Sequence, residues 1–109
     1  MLYRLIKDVL QGKPVAKRSP KWESTRNNFI KIYPTCAICG GTEKLEVHHI
    51  MPFHLDKEKE LDINNLVTLC ESSHHCHWTF GHCYKWTSWN PDILSDIVVW
   101  NNKIKNRPK

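Results

Sequence analysis

The chain has 109 residues, which suits one domain, and a net charge of +5 at neutral pH. No stretch approaches the ~20 apolar residues that a transmembrane helix requires, and the first residues lack the basic and long apolar regions of a signal peptide. A membrane or secreted protein is therefore not expected. In a cytosolic protein, cysteine pairs more often bind metal than form disulfides.

The charge is distributed unevenly along the chain. Residues 1–34 carry a net charge of +6, residues 35–83 carry −4 and residues 84–109 carry +3. All seven histidines and all five cysteines lie in the acidic middle. This layout favours a polyanion bound by the basic ends and a cation bound in the centre, although lysines that only keep the ends soluble are the alternative. We predict a single domain over 1–109, made of these three parts.

The first predicted elements of the chain are a basic arm and a helix. Residues 1–18 have the composition of an arm or loop, ending near G-K-P-V-A-K-R. A helix is predicted over about 20–33, because the Ser-Pro pair at its start fits an N-cap and first-turn proline. Trp22 and Phe29 recur at helical spacing, and Pro34 would end the helix.

Two short strands follow, over 44–50 and 65–69. In the first, Leu45 and Val47 alternate with polar residues, which is typical of a half-buried strand. The charged residues 55–62 are predicted to form the connecting loop or a short exposed turn.

Two helices are predicted after the strands. The segment H-H-C-H-W-T-F lacks strand alternation and indicates a helix start, with Gly81 at its end. Asn90-Pro91-Asp92 indicates another helix start. The order of elements predicts a small α+β domain with a two-stranded antiparallel hairpin and flanking helices. The residues expected on the buried face of the last helix are Ile93, Ile97, Trp100 and Ile104.

Four of the cysteines have the spacing of zinc ligands. Cys36 and Cys39 form C-x2-C on a glycine-rich turn, and Cys70 and Cys76 form C-x5-C after the second predicted strand. If the hairpin brings the pairs together, four thiolates can bind one structural Zn²⁺. Zinc binding would then compensate for the small core of a short chain.

Two alternatives stay open at this predicted zinc site. His74 or His75 could replace Cys76 as the fourth ligand. The fifth cysteine, Cys83, is expected to pack in the core.

Adjacent histidines end the first predicted strand, and another follows the second cysteine pair. Neighbouring strand residues point to opposite faces, so His48 and His49 are expected to do different work. One imidazole can ligate a divalent metal and a second can accept a proton near neutral pH. The alternative is that both are half-exposed strand residues without a chemical role.

In their order and spacing these motifs resemble the HNH endonucleases, which have the ββα-metal or His-Me finger fold. The likeness runs through C-A-I-C-G, L-E-V-H-H-I-M-P, N-N-L-V-T-L-C and C-H, over about residues 36–77. It is similar to the small stand-alone HNH proteins of bacteria and phages with a four-cysteine zinc site. The resemblance implies a zinc-stapled ββα-metal core within residues 35–83 and a cytoplasmic location in a bacterium or infected host.

Site residues follow from this resemblance by position. It implies that His49 is the general base and that Asn65 helps to hold it. His48 and His77 would ligate a catalytic divalent ion such as Mg²⁺ or Mn²⁺.

Other histidines could join or compete at the ion. His74 rivals His77, because Ser73 occupies the nearer cysteine position of the usual C-x2-C knuckle. His82 lies about 140° from His77 on an ideal helix, so it would join the same ion only if the helix breaks at the glycine between them. His54 could contact phosphate.

The function implied by the resemblance is a metal-dependent DNA endonuclease. Water activated by His49 would attack phosphorus, and the divalent ion would stabilise the departing 3′ oxygen, leaving 5′-phosphate and 3′-hydroxyl ends. One such site cuts one strand, and the sequence shows no clear dimer surface. The basic residues expected to contact the DNA phosphate backbone are Lys17, Arg18, Lys21 and Arg26.

A non-catalytic zinc-knuckle module that binds nucleic acid is the alternative function. It would account for the cysteines and basic ends, but not for the histidines or Asn65. The five tryptophans are expected in the core, with Trp86 and Trp89 as exceptions that could stack on bases.

Overall fold

The computed structural model describes residues 18–72 and 74–108, so the expected DNA contact at Lys17 lies outside the described residues. The described chain folds into two α-helices, one two-stranded antiparallel sheet and several short turns. This confirms the predicted α+β class with a hairpin core. Within these residues no helix is both long and apolar enough to cross a membrane.

Helix α1 spans Trp22–Ile32, close to the predicted 20–33. Its entry is stabilised by Ser19, whose side-chain oxygen accepts a hydrogen bond from the Lys21 amide at 3.1 Å and whose carbonyl accepts one from the Trp22 amide at 3.0 Å. Ser19 thus orders the turn before the helix. Trp22 and Phe29 recur at helical spacing, so they lie on the same face of the helix, and both are buried.

Strands β1, Leu45–His49, and β2, Leu66–Cys70, form the hairpin. Their register pairs Leu45 with Cys70 and His49 with Leu66. The histidine end of β1 therefore lies beside the start of β2, and the cysteine end of β2 lies beside the start of β1.

The loop between the strands contains two ordered 3-10 turns, Lys57–Lys59 and Ile63–Asn65. Asp56 and Asp62 cap these turns by accepting hydrogen bonds from backbone amides at 3.1 Å and 2.9 Å. The charged segment predicted as loop or exposed turn is thus held by its own aspartates.

Helix α2 spans Ile93–Lys105 and directly follows the predicted start signal at residues 90–92. The Asn90 side-chain oxygen accepts a hydrogen bond from the Asp92 amide at 2.9 Å, and its amide group donates to the Phe80 carbonyl at 2.9 Å. Of the predicted buried face, Ile93 is fully buried and the two other isoleucines pack against the core. Trp100 is 40% exposed and lies over Phe80, with ring centroids 5.4 Å apart.

The buried side chains form two clusters on either side of the hairpin. One lies under α1 and the other lies under α2 and includes cysteines. The members of the first are Trp22, Phe29, Val47 and Leu66, and those of the second are Cys36, Ile38, Leu69, Cys70, Cys76 and Ile93.

Candidate functional site

The cysteine site is built by two turns that meet at the end of β2. The first turn is closed by hydrogen bonds from the Gly40 amide to the Cys36 carbonyl (2.9 Å) and from the Cys36 amide to the Gly41 carbonyl (2.8 Å). Gly40 has φ of +75°, a conformation that other residues adopt at a cost. The glycine pair in C-x2-C-G-G thus makes a knuckle possible.

Four cysteine sulfurs lie within 4.8 Å of one another, and Cys39 Sγ is 3.6 Å from Cys70 Sγ. Sulfurs bound tetrahedrally to one zinc at ~2.3 Å lie about 3.8 Å apart, so the spacing fits this ion. The four members are the predicted Cys36, Cys39, Cys70 and Cys76. The structure does not bring His74 or His75, both exposed, into this cluster.

The cysteine thiols also affect one another electrostatically. A hydrogen bond from Cys76 lowers the pKa of Cys36 to about 4, while contact with Cys36 and burial raise the pKa of Cys76. Burial raises the pKa of Cys39 to about 11. The protein alone therefore favours one thiolate among crowded thiols, whereas zinc would stabilise four. The cluster is compatible with zinc knuckles.

A second cluster brings together His48, His77 and His82, with one ring nitrogen of each within 4.8 Å of the others. Nε2 of His77 is 3.1 Å from Nε2 of His82. Adjacent imidazole ligands at ~2.0–2.1 Å from one ion are separated by about 2.9–3.4 Å, so these nitrogens have the spacing of ligands to a shared ion.

Backbone and carboxylate groups orient two of these rings. His82 Nδ1 donates to the Ser88 carbonyl at 2.8 Å, and His77 Nδ1 lies 2.7 Å from Glu71 Oε1. Acceptors at both Nδ1 atoms favour the proton there and leave the two Nε2 lone pairs facing each other. That arrangement is repulsive without a positive charge between the nitrogens.

His48 completes the cluster from the strand. It is 2% exposed, and its Nε2 has no hydrogen-bond partner within the described part of the chain. Burial, followed by the neighbouring His77 and His82, lowers the pKa of His48 well below its ordinary value. A neutral, buried ring nitrogen without a hydrogen bond has the character of a metal ligand.

A π-helical turn at His77–Gly81 explains why His82 joins the cluster. The His82 amide donates to the His77 carbonyl at 3.1 Å, an i→i+5 bond that brings residues five apart to nearly the same side. The expected helix thus ends at Gly81 and accommodates His82 by widening. His74, the rival of His77, is exposed and lies outside this cluster.

Gly81 and Trp86 form the walls around the rings. A Cβ placed on Gly81 would lie 3.0 Å from Cε1 and 3.1 Å from Nδ1 of His48, so only glycine leaves room for this ring. Trp86 is buried against His77 and His82, with centroids 5.2 Å and 4.8 Å away. The prediction that Trp86 could stack on bases is therefore wrong, because its ring already covers the histidines.

His49 points away from this cluster. It packs on Trp22 with ring centroids 4.5 Å apart, and its Nε2 is 2.9 Å from the Glu60 carbonyl. A carbonyl can only accept, so Nε2 carries the proton and Nδ1 has the lone pair. Burial lowers the pKa of His49 to about 4, partly offset by the Glu60 hydrogen bond and assisted by the charge of Arg18. The ring is therefore neutral at neutral pH.

Asn65 acts on the loop that holds His49 and not on the ring itself. Its side-chain oxygen accepts from the Met51 amide at 2.7 Å, and its amide group donates to the carbonyls of Met51 (3.0 Å) and Lys59 (3.1 Å). Lys59 directly precedes Glu60, whose carbonyl contacts His49. Asn65 thus connects the end of the loop to its start at Met51 and to the segment at Lys59 that precedes the His49 contact.

The basic residues expected to contact DNA differ in their surroundings. Lys21 is exposed, whereas the Arg26 guanidinium lies 3.2 Å from both the Leu45 carbonyl and a Glu46 carboxylate oxygen. Arg18 lies 3.7 Å from a carboxylate oxygen of Glu60. His54 is exposed in the loop.

Residues that sequence reasoning did not select include Glu60 and Glu71. The side-chain partners of Glu60 are distant in sequence, and Glu71 contacts His77 across a turn. No local sequence pattern therefore indicates either contact. The sequence indicates Gly81 as a helix end and as the break that would let His82 join His77, but not its contact with the His48 ring.

A hairpin followed by a short helical turn, with histidines at the junction and a cysteine cluster beside it, defines a ββα-metal fold. The family model described as HNH endonuclease matches residues 36–80. Residues 36–80 thus match the HNH endonuclease domain, which confirms the resemblance in the sequence and suggests nuclease activity in general. Neither curated proteins nor solved structures gave a significant match to the chain.

Proposed function

We propose that the protein is a metal-dependent DNA endonuclease formed by one domain over residues 1–109. The observation that supports this most directly is the pairing of two sites across β1. Three imidazoles converge on one side of the strand, and on the other side the contact of His49 Nε2 with the Glu60 carbonyl leaves the lone pair of this ring on Nδ1. Both sites lie within the segment matched by the HNH family model.

In the proposed reaction His49 is the general base. Its Nδ1 removes a proton from water, and the water oxygen forms a bond to phosphorus while the bond from phosphorus to the 3′ oxygen breaks. The Glu60 carbonyl holds the Nε2 proton and so keeps the ring in the tautomer with a basic Nδ1. Asn65 keeps this carbonyl in position through Lys59.

His48, His77 and His82 would hold the divalent ion, which when bound supplies positive charge next to the scissile phosphate. Three imidazoles without a first-sphere carboxylate suit manganese, zinc, cobalt or nickel better than magnesium, which prefers oxygen ligands. Among Mg²⁺ and Mn²⁺, we therefore expect Mn²⁺ to support the greater activity.

DNA is the proposed substrate, bound mainly through its phosphates. Exposed Lys21 and half-exposed Arg18 lie at the start of α1, whose first residue Trp22 packs on His49. Basic side chains at this end of α1 would direct a phosphate toward the base. Arg26 and Lys17 are proposed as further backbone contacts.

The test is cleavage of supercoiled plasmid with Mn²⁺ or Mg²⁺. We expect nicking by the wild type and a loss of about 10²–10⁴-fold in His49→Ala, the usual contribution of a general base. His74→Ala is the matched control, because it removes an exposed histidine that lies outside the histidine and cysteine clusters. Unchanged nicking in His49→Ala would refute the role of the base. DNA binding without nicking under any divalent ion would favour the non-catalytic zinc-knuckle module.

A further inference from the structure

Glu60 is a buried carboxylate in the loop beside His49. It is 4% exposed, and Oε1 accepts a hydrogen bond from the Ser19 amide at 3.0 Å. Its Oε2 lies 3.7 Å from Nη1 of Arg18. A buried carboxylate is costly unless charges and donors compensate it. Both compensating groups here come from the entry to α1, and Ser19 is 41 residues away from Glu60 in sequence.

The backbone of the same residue contacts the proposed base. The Glu60 carbonyl accepts from His49 Nε2 at 2.9 Å. One residue therefore fixes Arg18 through its side chain and His49 through its main chain. The relative position of the two groups is set within a single residue.

Two aromatic rings also lie close to the Arg18 guanidinium. The central carbon of its guanidinium lies 4.7 Å from the ring centroid of Phe53 and 5.5 Å from that of Trp22. The Trp22 ring in turn lies 4.5 Å from that of His49. The Arg18 side chain is 44% exposed, so it lies at the surface, where a ligand can approach it.

Guanidinium groups recognise phosphate through two parallel hydrogen bonds, and such contacts require a fixed orientation. Aromatic rings and a carboxylate hold Arg18 in one orientation at little further entropic cost on binding. This arrangement differs from that of Lys21, which is exposed and suits contacts that only supply charge.

We infer that Glu60 is a positioning residue that holds Arg18 beside His49, so that the phosphate bound by Arg18 is the one that the activated water attacks. This inference rests on the proposed nuclease function and deepens it. It makes Arg18 a contact to the scissile phosphate and Glu60 the group that orients this contact.

The effect of Glu60→Gln on kcat distinguishes a positioning role of Glu60 from a purely electrostatic one. Glu60→Gln removes a negative charge near bound DNA, so charge alone predicts tighter binding and no loss of rate. The positioning role predicts a kcat that is about 10- to 100-fold lower, because a misdirected phosphate contact costs rate, with KM changed less than about threefold. Glutamine can still accept from the Ser19 amide, which preserves the fold. Glu58→Gln, an equal charge change at an exposed position of the same loop, should leave kcat unchanged.

A double-mutant cycle tests whether Glu60 acts through Arg18. We expect Arg18→Ala to lower kcat, and Glu60→Gln to lower it less than about twofold further in that background, because coupled residues are not additive. Wild-type kcat in Glu60→Gln, or the same loss with and without Arg18, would overturn the inference.

A measurement without DNA keeps the inference separate from the nuclease assignment. NMR of the arginine side chains should show slow rotation of the Arg18 guanidinium in the wild type and fast rotation in Glu60→Gln. Equal rotation in both proteins would overturn the inference even if the wild type cleaves DNA. If rotation differs but the wild type does not cleave DNA, the proposed function fails and the reaction role of Glu60 fails with it, while the contact with Arg18 stands.

Discussion

Glu71 and His77 connect the cysteine cluster to the histidine cluster. Glu71 directly follows Cys70 and lies 2.7 Å from Nδ1 of His77, which directly follows Cys76. A carboxylate at the far nitrogen of a ligating imidazole orients the ring and raises its basicity. The position of His77 therefore depends on both cysteines and on the carboxylate between them.

We expect Glu71→Gln to weaken binding of the second divalent ion by about 10- to 100-fold, because such outer contacts typically contribute this much to affinity. Calorimetric titration of zinc-loaded protein with Mn²⁺ or Ni²⁺ would measure it. Glu43→Gln, an exposed glutamate near the first knuckle, is the control. Equal affinity in Glu71→Gln and wild type would contradict the expectation.

Gly81→Ala should displace the His48 ring, because the new Cβ would lie 3.0 Å from its Cε1. Overpacking of this kind costs about 1–3 kcal/mol, and we expect the affinity for the second ion to fall as well. Gly40→Ala offers a contrast, since its Cβ would meet no atom but its φ of +75° disfavours alanine. Both variants should unfold at lower urea concentration, and only Gly81→Ala should lose the ion. Retained affinity in Gly81→Ala would show that His48 has room to move.

At the scale of elements, the loop between β1 and β2 depends on Asn65. This side chain is buried and makes three hydrogen bonds to the backbone of Met51, near the start of the loop, and of Lys59, near its middle. These bonds and the aspartate caps help to define the shape of the loop.

Asn65→Ala should lower the free energy of unfolding by about 1–3 kcal/mol, since it leaves buried backbone groups without partners. It should also reduce cleavage, because the Glu60 carbonyl would no longer be fixed against His49. Asn64→Ala is the matched control, as Asn64 is exposed and adjacent. Urea denaturation and plasmid nicking measure the two effects, and equal stability of the two variants would refute this role of Asn65.

Much of this architecture could be predicted from the sequence. Periodicity located α1, both strands and α2, because each element buries one face and the pattern repeats locally. Cysteine spacing located the first cluster for a similar reason. The π turn could not be predicted, since its i→i+5 bond depends on tertiary packing against His48 and Trp86. The partners of Glu60 are separated from it by 41 residues, so no local pattern could indicate them.

For the molecule as a whole, the cysteine cluster is part of the core. Three of its members are buried with Ile38, Leu69 and Ile93 in the cluster under α2. A chain of this size buries a modest apolar area, and bound zinc would contribute on the order of 10 kcal/mol, comparable to the total stability of a domain. Folding and zinc binding are therefore expected to be a single process.

Cys76→Ser should lose zinc and cooperative thermal unfolding, whereas Cys83→Ser should retain both. Cys83 lies outside the cluster and is exposed, so the prediction that it packs in the core is wrong. Native mass spectrometry gives the zinc content, and circular dichroism gives the unfolding transition. A folded Cys76→Ser protein with one zinc per chain would indicate that another residue completes the site.

The π turn has a consequence for how this chain compares with other metal-binding helices. Helical histidine pairs usually stand four residues apart, on one face of an α-helix. Here the pair His77 and His82 stands five apart, and the wider turn absorbs the additional residue. A sequence motif written for the four-residue interval would miss this histidine pair. The five-residue interval can replace the four-residue one only where a π turn replaces the α-helical turn.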